Sequence, residues 1–124
     1  MIYGALIFGG ALGALLRLLT GLLLPFGAWT TLGINGLGCL LLGFFLPYTA
    51  GGRLPEPLRL GISAGVLGGF TTFSTFSVET LSFLHKGLWL QAALYAAGSL
   101  VGGVCLAWCG TLAARKARKA GGVS

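Results

Sequence analysis

Gly68-Gly69-Phe70-Thr71-Thr72-Phe73-Ser74-Thr75-Phe76-Ser77 lies near the middle of a stretch that is otherwise apolar enough to cross a bilayer. Hydrocarbon offers no water to backbone N–H and C=O groups, so irregular backbone at membrane depth is tolerated only where protein buries it or a wet cavity adjoins it. A glycine pair followed by hydroxyl-bearing residues therefore predicts a broken helix beside a site that handles an ion or a polar solute.

The composition around this stretch predicts a lipid environment. The chain has 124 residues, 56% of them hydrophobic and only 8% charged, against roughly 25% charged in soluble domains. Its net charge of +6 does not imply a nucleic-acid partner. Half of the basic residues form the cluster Arg115, Lys116, Arg118 and Lys119, directly after an apolar segment, where an anchor on an anionic leaflet is the plainer reading. Met1-Ile2-Tyr3 carries no basic leader, so no cleavable signal is expected.

Four segments, 2–24, 29–48, 58–84 and 88–112, reach the length of about 20 residues that spans the hydrocarbon core. Residues 1–112 then form one four-span transmembrane domain and 113–124 a basic tail. The connections contain Pro25, Gly27, Gly51, Gly52, Pro55, Pro57 and Gly87, and their shortness predicts an antiparallel up-and-down bundle. Tyr3, Trp29, Tyr48, Trp89 and Trp108 fall near the predicted helix ends, at interface level. Gly9 and Gly13, Gly61, Gly65 and Gly69, and Gly98 and Gly102 recur every four residues and predict grooves for close helix approach.

Polar residues inside the spans narrow the chemistry. Thr31 and Asn35 share one face of the second span, and Tyr95 and Ser99 share one face of the fourth. On the third, Thr72, Thr75 and Glu79 form a stripe beside another made by Phe73 and Phe76. Apart from Arg59 at the entry to the third span, only Arg17 and Glu79 are charged within the spans, too few carboxylates for a cation pathway or a proton-coupled exporter. Neutral donors and the positive edges of phenyl rings suit an anion, which they hold without binding it too tightly to release. Arg17 either snorkels outward or draws anions into a vestibule; Glu79 is read first as a partner for Thr or Arg side chains. A small proton-coupled multidrug exporter would need a carboxylate in the first span, where there is none, and a scaffold subunit would leave the break without purpose. Cys39, Cys105 and Cys109 lie in apolar segments and His85 stands alone in a loop, so no enzyme site is expected.

Three motifs resemble the Fluc (CrcB) fluoride channel family over nearly the whole membrane domain. They are Gly9-Gly10-Ala11-Leu12-Gly13-Ala14-Leu15-Leu16-Arg17, Thr31-Leu32-Gly33-Ile34-Asn35-Gly36-Leu37-Gly38, and 68–77 with Glu79. Leu18 and Thr30 depart from the family pattern, which usually has Tyr and Gly there, and Gly103 stands where some members have Ser. The resemblance implies an all-α membrane protein, four helices with the third broken, paired as an antiparallel, dual-topology homodimer with two pores, in the bacterial inner membrane. It implies passive fluoride export that relieves fluoride toxicity. It implies pore roles for Asn35, Phe73, Phe76, Tyr95, Ser99 and Glu79, and a structural sodium ion on the two-fold axis held by the backbone carbonyls of Gly68 and Thr71.

Charge placement pulls against the homodimer. With four spans, both termini share a side with the 50–57 loop, placing Arg53, Arg59 and the terminal cluster there against Lys86 opposite. Such a bias predicts cytoplasmic termini. Either the tail counts for little or the chain pairs with an oppositely inserted relative.

Overall fold

In the computed structural model, which describes residues 1–121, the chain is helical, with no strand among the described residues. Helix α1 covers Ile2–Leu23 and α2 covers Ala28–Thr49. The third span comprises α3 (Glu56–Leu60), a π-helical turn pair at Gly61–Leu67, α4 (Gly68–Phe70) and, after a break, α5 (Ser74–His85). Helix α6 runs from Trp89 to Ala120. Glycines with positive φ occupy all three connections: Gly27, the pair Gly51 and Gly52, and Gly87. A side chain there would be strained, so these residues turn the chain sharply enough to send each span back across the membrane.

The packing differs from a simple up-and-down order. Helix α1 meets α2 only slightly and packs instead against the π-helical segment and α4, while α2 packs most extensively on α6. Both pairs are parallel. In the first, Ala5 faces Gly61, Gly9 faces Gly65, and Gly13 faces Val66 and Phe70; in the second, Cys39 meets Gly103 and Gly43 meets Ala107. The shortness of the links fixes the alternating direction of the spans but not which of them touch. Backbone proximity decides that. A Cβ on Gly9 would overlap the Gly61 carbonyl, and one on Gly13 would overlap the Val66 carbonyl. Gly61, Gly65 and Gly69 of the third span supply the small-residue surface that lets α1 come this close.

One sequence expectation is corrected within the subunit. Gly98 and Gly102 meet nothing within 4 Å among the described residues, whereas Gly43 and Gly110 hold the α2–α6 contact, where an added Cβ would strike Ala107 O and Leu40 O. Four-residue spacing marks a possible groove but cannot say whether another helix of the same subunit occupies it. The basic segment is helical for most of its length. Residues 113–120 continue α6, with Ala114 fully buried and Arg118 Nη1 donating to the Pro47 carbonyl at 3.1 Å; residues 122–124 of the expected tail lie outside the described residues.

Candidate ion-binding groove

The break follows from a competition for backbone hydrogen bonds. Thr71 is extended, with φ −73° and ψ 158°, and ends α4. In a continuous helix the Thr72 N–H would donate to the Gly68 carbonyl; it donates instead to Asn35 Oδ1 at 2.8 Å, and Asn35 Nδ2 returns a bond of 2.8 Å to the Thr72 carbonyl. One amide side chain thus takes the part of a neighbouring backbone. Thr72 Oγ1 then accepts the Thr75 N–H at 3.2 Å and donates to Thr75 Oγ1 at 3.0 Å, satisfying the first turn of α5 as an N-cap does. The hydroxyl of Ser74 lies 3.3 Å from that of Thr72.

Below the break opens a groove of about 550 Å³ lined by Asn35, Thr71, Thr72, Phe73, Phe76 and Ser99, among apolar residues of α2, the third span and α6. Phe73 is 79% exposed, and its ring centre lies 5.9 Å from that of Phe76, which in turn lies 5.1 Å from Tyr95. A second hollow of about 580 Å³, on the α1 side, collects Arg17, Thr31, Thr72, Ser74, Thr75 and Glu79. Apart from Tyr95, which lines neither, the expected candidates therefore separate into two sets joined at Thr72.

Glu79 is held by neutral donors. Thr31 Oγ1 donates to one carboxylate oxygen at 3.0 Å and the Tyr95 hydroxyl donates to the other at 2.6 Å. Tyr95 and Ser99 share a helical face, yet only Ser99 lines the groove, because the tyrosine proton is directed at Glu79. Asn35 keeps one amide proton beyond its bond to Thr72. Sequence reading placed Thr31 with Asn35 without assigning it to Glu79, and it left Ser74 out of the candidates although Ser74 stands inside the decisive motif.

The carbonyls of Gly68 and Thr71 fit the hard cation that the resemblance implies. Diversion of the Thr72 N–H leaves the Gly68 carbonyl with only a 3.4 Å contact from Thr71 Oγ1, at an exposed residue. The Thr71 carbonyl receives one long bond, 3.4 Å from Arg17 Nη1. Each oxygen retains a free lone pair, and oxygen-only ligation is what such an ion takes. Two oxygens do not fill a shell, and the described residues contain no cluster of three His, Cys, Asp or Glu that could hold a metal elsewhere.

Comparison with known proteins places the chain in a family. The family profile described as "CrcB-like protein, Camphor Resistance (CrcB)" matches residues 4–111. A protein of Thermus thermophilus named "Fluoride-specific ion channel FluC" is 49% identical over 107 residues, covering 82% of this chain and 86% of that protein. One of Novosphingobium aromaticivorans with the same name is 47% identical over 77% of this chain and 82% of its own length. Geobacillus kaustophilus has a "Fluoride-specific ion channel FluC 2" that is 39% identical over 98% of each chain. With the profile covering nearly all of the four spans and such relatives aligned along most of the chain, this protein belongs to the CrcB-like family.

Proposed function

We propose that the chain is a multi-pass channel subunit that conducts fluoride passively out of the cell, relieving fluoride toxicity. The observation that carries this reading is the groove at the break, which sets Ser99, the free amide proton of Asn35 and two phenyl rings around one space without a carboxylate. A small anion gives up much hydration on entering a narrow path, so its route must offer dense, neutral donors. Relatives named as fluoride-specific channels support fluoride as that anion. Arg17, Ser74 and Thr75 line the second hollow as a vestibule in which a cationic side chain concentrates the ion before it reaches Phe73 and Phe76.

The groove is open to the subunit surface at the 79% exposed Phe73, so a second subunit completes it, giving two pores per antiparallel dimer. Gly68 and Thr71 carbonyls from both subunits would hold a structural sodium ion, whose charge, when bound, offsets the carbonyl dipoles brought together at the two-fold axis. A second arrangement, pairing with an oppositely inserted relative, is favoured by the charge bias: six basic residues on the side of the termini against Lys86 on the other. The test is ion efflux from liposomes carrying the purified chain, with fluoride and chloride compared. Rapid fluoride loss with chloride retained is expected; equal loss of both, or none from a folded dimer, removes the proposal.

A further inference from the structure

The far end of α6 has a construction that conduction does not use. One face of the helix presents Val101, Val104, Trp108, Arg115 and Lys119 in a single stripe. Val101 and Trp108 are 60% and 63% exposed, and both basic residues are exposed as well. Along this stripe the side chains pass from hydrocarbon-loving to interfacial to cationic. Seven residues of helix rise about 10 Å, so Arg115 lies one headgroup layer beyond Trp108.

The adjoining face of the same segment is fixed to the protein. Ala114 is fully buried and Arg118 is bonded to the Pro47 carbonyl at 3.1 Å, using one of its five N–H donors. On the neighbouring residue of α2, the Arg53 guanidinium sits 4.8 Å from the centre of the Tyr48 ring. Two arginines are thus anchored at the end of α2 while Arg115 and Lys119 project beside them. The only acid near this end in sequence is Glu56, and the loop at the opposite end of the bundle contributes Lys86 alone.

We propose that this end of the subunit is a binding site for an anionic diacyl phospholipid. The phosphate lies among Arg53, Arg115, Arg118 and Lys119, and the acyl chains lie along the Val101–Trp108 stripe. A rigid helical extension makes the difference from a mobile basic tail, because anchored guanidinium groups lose little freedom when the headgroup arrives. Charge attraction sets the headgroup class, and the apolar stripe requires that the anion carry chains.

The test uses the full-length protein in neutral detergent, titrated with phosphatidylglycerol, with phosphatidylcholine of the same acyl chains, and with free glycerol phosphate. Lipid retention is read by native mass spectrometry and thermal melting in parallel. Phosphatidylglycerol should be retained and raise the melting midpoint, with the other two ligands weaker. In the double variant R115Q/K119Q its affinity should fall about fivefold for each charge removed, with phosphatidylcholine retention unchanged. K86Q, at the other end, should behave like the parent. Equal retention of the two lipids, an equal loss in K86Q, or glycerol phosphate binding as well as the intact lipid would overturn the proposal. Melting of the double variant in phosphatidylcholine at the parent's midpoint separates loss of the site from loss of the fold.

Discussion

Replacing Asn35 by Leu tests the physical cause of the break. The side-chain volume is nearly kept, while both 2.8 Å bonds to Thr72 disappear, leaving a Thr72 N–H and a carbonyl without partners at a residue only 6% exposed. Each orphaned group costs about 1–3 kcal/mol in a low-dielectric setting. Hydrogen bonds measured between membrane helices are worth less, about 0.6 and at most about 1.7 kcal/mol, because a chain unfolded in the membrane also finds partners. For two bonds the expected loss is therefore about 1–3 kcal/mol, read as the shift in reversible unfolding by SDS followed by circular dichroism. Asn35→Asp keeps the acceptor for the Thr72 N–H but loses the donor, so its loss should be smaller in backbone terms while fluoride efflux falls, since a carboxylate faces the groove. Unfolding of Asn35→Leu within about 0.5 kcal/mol of the parent, with efflux intact, would refute the idea that this amide sustains the interruption.

Glycine substitutions should sort by backbone contact: Gly110→Ala drives a Cβ into Leu40 O and Phe44 N and should destabilise the subunit by several kcal/mol, whereas Gly98→Ala enters open space and should leave subunit unfolding unchanged. SDS unfolding of both variants compares them directly. Phe76→Ile keeps an apolar wall but removes the ring edge, so fluoride efflux from liposomes should drop at least tenfold while elution on size-exclusion chromatography stays that of the parent; unimpaired flux would dismiss the ring's role. Arg17→Gln removes a positive charge beside the Thr71 carbonyl, so any stabilisation of the dimer by sodium should appear at lower sodium concentration, and Arg17→Lys should not show that shift. Melting midpoints across a sodium titration, with choline as the replacement cation, decide it.

The fold was legible where apolar length and breakers act locally. Spans predicted at 2–24 and 29–48 match helices Ile2–Leu23 and Ala28–Thr49 almost to the residue, since hydropathy and the glycines of the turns set both ends. The interruption was legible too, because a glycine pair followed by a dense hydroxyl run joins a backbone free to break with side chains that can satisfy the groups it frees. Helix pairing was not. Gly43 and Gly110 carry no spacing signal that distinguishes them from Gly98 and Gly102, and their role depends on which neighbour arrives. The π-helical segment is equally silent, as Gly61–Leu67 has no residue that would not sit in an α-helix. Within the site, helical periodicity put Tyr95 with Ser99, but the tyrosine ring reaches past the groove to Glu79, a choice made by side-chain length and not by register.

The open groove and the charge bias bear on one another. A subunit alone exposes Phe73 and Gly68 on its surface, and an under-satisfied carbonyl facing hydrocarbon costs several kcal/mol, so the surface around the break demands cover. A parallel copy cannot bring two such breaks together about an axis lying in the membrane plane; an inverted chain can. Yet six basic residues at one end against one at the other drive this chain toward a single orientation, and the helical extension through Ala120 keeps those charges close to the membrane where they count. Both demands are met at once if the inverted chain is a relative with the opposite bias. A single cysteine introduced as Gly121→Cys, after removal of the native cysteines, should react with an impermeant thiol reagent from one side of the membrane only. Labelling from both sides in comparable amounts would show that the bias is overridden and return the assembly to two copies of this chain.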